Sequence, residues 1–172
     1  GAAYCAGISW EEMAEFCRSV KEKEIRNSRS VFFPSESRNI ERLAYRLLGG
    51  KNFNELKTPF ACNAVNLATG EERIFTRGNL AKAISASCSV PVIFSGVDIE
   101  GEHYVDGGLL NTMPSDIARY GSRLRGGCRP QPDKRRGHFV APFAQRILGY
   151  VQHSYEKHRL QGDYEYGRHD RA

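Results

Sequence analysis

Gly101-Glu102-His103-Tyr104-Val105-Asp106-Gly107-Gly108-Leu109-Leu110-Asn111 carries an acid at the end of a β-favouring run, directly before two glycines. His103, Tyr104 and Val105 read as a short strand bounded by turn residues. Glycine admits positive φ and lets other backbone or a ligand approach closely. An acid held at a strand end before such a turn has the geometry of a catalytic or ligand-binding carboxylate. The other reading is a structural Asp that closes an ordinary turn. Asp106 is thus the candidate functional side chain, with Gly107 and Gly108 shaping its turn. His103 stands three residues earlier, so on a strand its side chain points to the opposite face from Asp106. It is expected as a partly exposed strand residue.

Outward from this stretch, strands and helices alternate. Residues 60–67 are apolar at most positions, as in a strand covered on both faces. Thr69-Gly70 turns the chain, and 72–76 is the returning strand of a hairpin. Residues 79–87 predict a helix stopped before Pro91, and Val92-Ile93-Phe94 a short strand. Residues 97–99 and 102–105 flank a Glu100-Gly101 turn, and a last helix is expected over 115–120 with Pro114 at its start. Upstream, Ala2, Ala3 and Ala6 suit close helix-to-sheet packing, and Gly7 stops that helix. Ser9-Trp10-Glu11-Glu12 is a capping box. Met13, Phe16, Cys17 and Val20 follow at helical spacing and predict a helix over 10–25. A further helix over 37–48 presents Ile40, Leu43, Ala44, Leu47 and Leu48 as a core stripe and ends at Gly49-Gly50. Residues 53–56 form one short turn. Val31-Phe32-Phe33-Pro34 is an apolar link whose role is packing or the lining of an acyl pocket. This alternation implies an α/β layered domain.

The same residues resemble a known family. Phe60-Ala61-Cys62-Asn63-Ala64-Val65-Asn66-Leu67-Ala68-Thr69-Gly70 resembles a strand and turn of the patatin-like phospholipases. Gly78-Asn79-Leu80-Ala81-Lys82-Ala83-Ile84-Ser85-Ala86-Ser87-Cys88-Ser89-Val90-Pro91-Val92-Ile93-Phe94 resembles that family's A-S-x-S-x-P-x-x-F helix and strand, Asp106-Gly107-Gly108 its D-G-G motif, and Asn111-Thr112-Met113-Pro114 the stretch after it. The resemblance implies a central, mostly parallel sheet with helices on both sides. It implies hydrolysis of lipid or other acyl esters by a Ser–Asp dyad without cofactor or metal. A serine on a G-x-S-x-G elbow attacks the ester, Asp106 is its general base, and a glycine-rich loop supplies oxyanion donors. The sequence holds no G-x-S-x-G and no such loop. Gly1-Ala2-Ala3-Tyr4-Cys5-Ala6-Gly7 resembles the helix that runs on from the elbow, so the chain reads as a fragment truncated at the N-terminus. Residues 1–121 are then a partial patatin-like domain, and the chain as given is expected to be inactive. Ser85, Ser87 and Ser89 are expected to be structural.

The 172 residues suit one domain, and 40% hydrophobic residues suit a soluble protein. No apolar run approaches a membrane span. Cys5, Cys17, Cys62, Cys88 and Cys128 lack metal spacing and read as reduced, mostly buried thiols of a cytoplasmic-type protein. Peripheral membrane contact would suit a lipid substrate. The net charge of +5 is uneven: residues 1–121 hold 14 Lys and Arg against 15 Asp and Glu, and residues 122–172 hold 11 against 5. That basic tail is rich in Arg, Gly and Pro before Phe139, where the family continues into a buried strand. A one-base shift of Ser122-Arg123-Leu124-Arg125-Gly126-Gly127-Cys128-Arg129-Pro130-Gln131-Pro132 allows Asp-Phe-Val-Val-Ala-Val-Asp-Leu-Asn-Pro. The tail is therefore expected to be disordered or out of frame. If it is native instead, a short amphipathic helix falls near 143–155. Two other functions compete with the hydrolase: a catalytically silent relative that binds or regulates, and a nucleic-acid or membrane-surface binder that uses the tail. The tail's arginines follow no helical or strand period, so no nucleic-acid partner is expected.

Overall fold

The computed structural model describes residues 1–26 and 34–112, with Pro114, Ile117 and Gly149. Along the chain stand α1 (Ala2–Cys5), α2 (Trp10–Ser19), α3 (Glu22–Ile25), α4 (Arg38–Leu48), β1 (Cys62–Asn66), β2 (Glu72–Phe75), α5 (Leu80–Ser87), β3 (Val97–Ile99) and β4 (Glu102–Asp106). Single 3₁₀ turns cover Phe53–Glu55 and Gly107–Leu109. The link at 31–33 and the tail at 122–172, Gly149 apart, lie outside the described residues, as does the helix expected at 115–120 except for Ile117.

The helices begin and end where their boundary residues dictate. The Ser9 hydroxyl accepts from the Glu12 N–H at 3.2 Å, and Glu12 accepts from the Ser9 N–H at 2.8 Å. This reciprocal pair satisfies two otherwise orphaned donors of α2. The helix expected over 10–25 is broken, because Val20 turns extended and α3 starts anew at Glu22. Arg46 spans the break from α4, stacking on the Phe16 ring at 5.0 Å and pairing with Glu24 at 2.8 Å. Gly49 ends α4 in the left-handed conformation that a residue with a Cβ resists.

The described strands form a four-stranded sheet in the order β2-β1-β4-β3, and every neighbouring pair is antiparallel. This corrects the mostly parallel sheet expected from the sequence. Two hairpins impose the direction of β1 against β2 and of β3 against β4, while the central pair, β1 with β4, is linked through β2, α5 and β3. Asn66 holds the first by accepting from the Ala68 and Thr69 N–H groups at 2.9 and 3.2 Å. In the second, Glu100 and Gly101 take φ values of 55° and 83°, the left-handed pair that a two-residue hairpin requires. β1 is covered on both faces, as its apolar run predicts. Cys62 and Ala64 face a core of Phe75, Tyr104, Leu80, Ala83 and Ala86, while Val65 joins Leu67 and Val105 on the other face. The strand expected at 92–94 is a turn in which Val92 has φ 75°. Only Phe94 is bridged, in parallel, to Ser35.

Buried serines hold the start of α4 to the end of α5. The Ser85 hydroxyl donates to the Ser37 carbonyl at 2.6 Å. Ser89 Oγ lies 2.6 Å from the Ser85 carbonyl and 2.8 Å from Ser37 Oγ. One hydroxyl proton serves one acceptor, so Ser89 donates to the carbonyl and accepts from Ser37. Removing that oxygen leaves buried partners unsatisfied. Ser89→Ala is expected to cost about 1–3 kcal/mol, read as a lower denaturant midpoint at unchanged slope. Ser87→Ala, altering a half-exposed side chain, is expected to stay within about 0.5 kcal/mol.

Candidate active site

Asp106 ends β4, an inner strand of the sheet, and is fixed from two sides. It pairs with Ala64 of β1, and its N–H donates to the Ser89 carbonyl beyond α5 at 3.0 Å. Strand alternation puts its side chain on the face of Ala64 and Tyr104, toward α5. Its Oδ1 accepts from the Gly108 N–H at 2.7 Å, so the carboxylate caps the 3₁₀ turn that follows. Burial pushes the carboxyl above its ordinary range, and the Gly108 N–H opposes that rise by a smaller amount. The result is a half-buried carboxylate of increased basicity with one oxygen anchored.

Gly107 is required for space and not for positive φ, and Gly108 likewise has no positive φ. A Cβ on Gly107 would lie 2.4 Å from the Asn63 carbonyl oxygen and 2.6 Å from its side-chain Cγ. A Cβ on Gly108 would lie 3.0 Å from Asp106 Oδ1. β1 therefore runs against the turn at a distance that only glycine allows.

Two thiols share this neighbourhood. Burial pushes the Cys62 thiol up to about 12, and the charge of Cys88 adds to that. Cys88 is exposed as a residue, yet shielding of its thiol is the main cause of a raised value. The Asp106 carboxylate adds to the rise, and the Gly1 amino group opposes it. Cys88, just past α5, therefore lies within electrostatic reach both of Asp106 and of the start of α1. Both thiols stay protonated near neutral pH, which leaves them poor nucleophiles. Of the four described cysteines, Cys5 and Cys62 are buried and Cys17 and Cys88 exposed, so the expectation of mostly buried thiols holds for half of them. Cys128 lies outside the described residues.

His103 sits on the opposite face, as alternation requires, and is partly exposed as expected. Its side chain is 10% exposed, with Nδ1 2.6 Å from Asp98 and Nε2 2.9 Å from the Ser95 carbonyl. The ring lies on Gly96, where a Cβ would come within 2.4 Å of Nε2. His103 thus pins the β3–β4 hairpin. Ser85 and Ser89 are likewise consumed by the buried network. Among the described residues, no group of three or more His, Cys, Asp or Glu is placed to hold a metal, and no helix is long and apolar enough to cross a membrane.

The order of these elements agrees with a comparison of whole sequences. Residues 1–119 match the model of the patatin-like phospholipases. The chain belongs to the patatin-like phospholipase family. Uncharacterized NTE family proteins of Mycobacterium bovis and Mycobacterium tuberculosis are 31% identical to it over 78 residues, 45% of this chain and 13% of each relative. Another NTE family protein of M. tuberculosis is 31% identical over 68 residues, 40% of this chain and 19% of the relative. The match thus spans less than a fifth of the length of these curated relatives.

Within this patatin-like segment, the three residues singled out in the sequence form a single turn. What the sequence reading missed is its support: Asn63 and the Ser89 carbonyl. The available signal was the pair of asparagines inside an otherwise apolar strand, since a buried amide must find partners.

The raised Asp106 carboxyl has a sign that can be tested. Folding favours its protonated form, so the native state loses stability as pH rises through the raised pKa. Asp106→Asn keeps an acceptor for the Gly108 N–H and removes the buried charge. Its Tm is expected to exceed the parent's at neutral pH, with the gap closing as pH falls below the ordinary Asp range. A gap independent of pH in thermal melts would contradict this.

Proposed function

We propose that the chain supplies the general-base half of a serine acyl hydrolase site acting on lipid or other acyl esters. Asp106 is the base, and Gly107 and Gly108 shape the turn that presents it. The observation that carries this reading is the state of Asp106: half-buried, raised in basicity and anchored through one oxygen by Gly108. A carboxylate of that kind accepts a hydroxyl proton better than a solvated one. The nucleophile is a serine on the elbow that the family resemblance puts just upstream of Gly1. Cys88 lies within electrostatic reach of both the Gly1 end of α1 and Asp106, which supports this reading.

In the proposed step the serine oxygen attacks the acyl carbonyl while Asp106 takes its proton. The tetrahedral intermediate collapses, the carbon–oxygen bond to the alcohol breaks, and the proton passes from Asp106 to the departing alcohol. Water then repeats the sequence on the acyl-serine, with Asp106 again taking and returning the proton. His103 has no part, since its ring is held on the opposite face. Residues 1–121 form the partial catalytic domain in this reading, and the tail plays no role in it.

In a chain extended upstream through the serine, Asp106→Asn is expected to lower kcat on a short acyl ester by about 10²–10⁴-fold. The acid limb of kcat/KM should fall above the ordinary Asp range. Undiminished turnover in that variant would exclude Asp106 as the base. The chain of residues 1–172 has no G-x-S-x-G and is expected to stay unlabelled by a serine-directed fluorophosphonate. Stoichiometric labelling of one of its own serines, read by mass spectrometry, would place the nucleophile elsewhere.

A further inference from the structure

Asn63, the second residue of β1, is buried, and strand alternation puts its side chain on the face opposite Ala64 and α5. Its Nδ2 is 2.8 Å from Glu72 Oε1, 3.2 Å from the Asn111 carbonyl and 3.4 Å from the Gly107 carbonyl. The Gly107 and Asn111 carbonyls bracket the turn after Asp106. The Gly107 carbonyl also accepts from the Leu110 and Asn111 N–H groups at 3.1 and 2.9 Å. The Asn63 backbone carbonyl, in turn, occupies the space a side chain on Gly107 would need. One residue therefore closes on the turn twice, by main-chain contact at its first glycine and by amide donation at both ends.

We infer that Asn63 is a positioning residue for Asp106, acting through the turn Gly107–Leu109. Asp106 is held to that turn by one side-chain bond, the Gly108 N–H to Oδ1. The direction of that N–H depends on the turn, and the turn is held against β1 by the Asn63 amide. Two amide protons reach three acceptors, so one is shared between the turn and the rest. Glu72 is the arm that ties the amide to β2. The arms toward Gly107 and Asn111 bear on Asp106. The inference rests on Asp106 as the functional carboxylate, but its test reads Asp106 directly and needs no hydrolysis.

The experiment is NMR on the chain of residues 1–172. Asn63→Leu removes the donors with little change in volume and adds no charge. The Asp106 carboxyl, followed by its carbon shift, is expected to titrate at higher pH than in the parent, because the Gly108 N–H that opposes its rise is misdirected. Exchange of the Gly108 amide is expected to speed up by about tenfold, the scale of one lost hydrogen bond, while the Ala83 and Cys88 amides at either end of α5 keep their rates. Glu72→Ala cuts the β2 arm alone and is expected to leave the Asp106 titration and Gly108 exchange as they were. If Asn63→Leu does not fold, Asn63→Ala is read in its place. In the unaltered chain, the Asn63 side-chain amide protons are expected to exchange slowly. An unchanged Asp106 titration in the folded variant would overturn the inference. So would an equal change in Glu72→Ala, or Asn63 amide protons exchanging at the rate of a free amide.

Discussion

The pairing of Ala64 with Asp106 is the constraint on which the other features depend. At that point β1 and β4 run side by side in the middle of the sheet, and Ala64 is fully buried. Because β1 continues past Ala64 to Asn63 and Cys62, it runs against the turn that leaves β4. That turn must then start at Gly107, whose missing side chain makes room for the Asn63 carbonyl. The Asp106 N–H, turned away from β1, reaches the Ser89 carbonyl and couples the strand end to the end of α5. A bulkier residue at 64 or 107 would part the strand from the turn and release the carboxylate.

Burial at this point acts in opposite senses on chemistry and on stability. Removing Asp106 from water raises its basicity, which suits proton transfer, and makes its ionised form a cost to folding. The surrounding groups do not cancel that cost: the neighbouring thiols are neutral near pH 7, and the nearest fixed donor is a single backbone N–H. The stabilising polar bonds lie elsewhere, in the serine network between α4 and α5 and in the His103 pin of the β3–β4 hairpin. Rigidity at the carboxylate thus reaches it through the backbone, by the Asp106 N–H to Ser89 and by the strand that His103 pins.

Much of this was legible along the chain because local chemistry decides it. The Ser9–Glu12 box, the stop at Gly49, the Glu100-Gly101 hairpin and the strand end at Asp106 all depend on residues within a few positions of one another. The direction of the central strand pair was not legible. The two hairpins could be read from their turns, but a buried run such as Cys62–Asn66 reads the same whether β4 beside it runs parallel or antiparallel, and that choice rests on the pairing of Ala64 with Asp106. The break at Val20 and the turn at Val92 were also hidden. Hydrophobic spacing continues through both, and it is partners remote in sequence that compete there: Arg46 beside α2 and α3, and Ser35 against Phe94.

By itself, the sequence determined which acid was the candidate, where its strand stopped, and which family the order of motifs resembles. Each of these is written in contiguous residues whose backbone preferences do not wait for the rest of the fold. Tertiary structure alone decided that Gly107 serves close approach and not positive φ, that His103 is pinned and Ser89 consumed, and that Asn63 reaches over to the turn. Those outcomes depend on side-chain contacts that strand and helix packing sets, several of them between residues tens of positions apart. They are set by how closely two strands and a helix pack, and no local pattern records that distance.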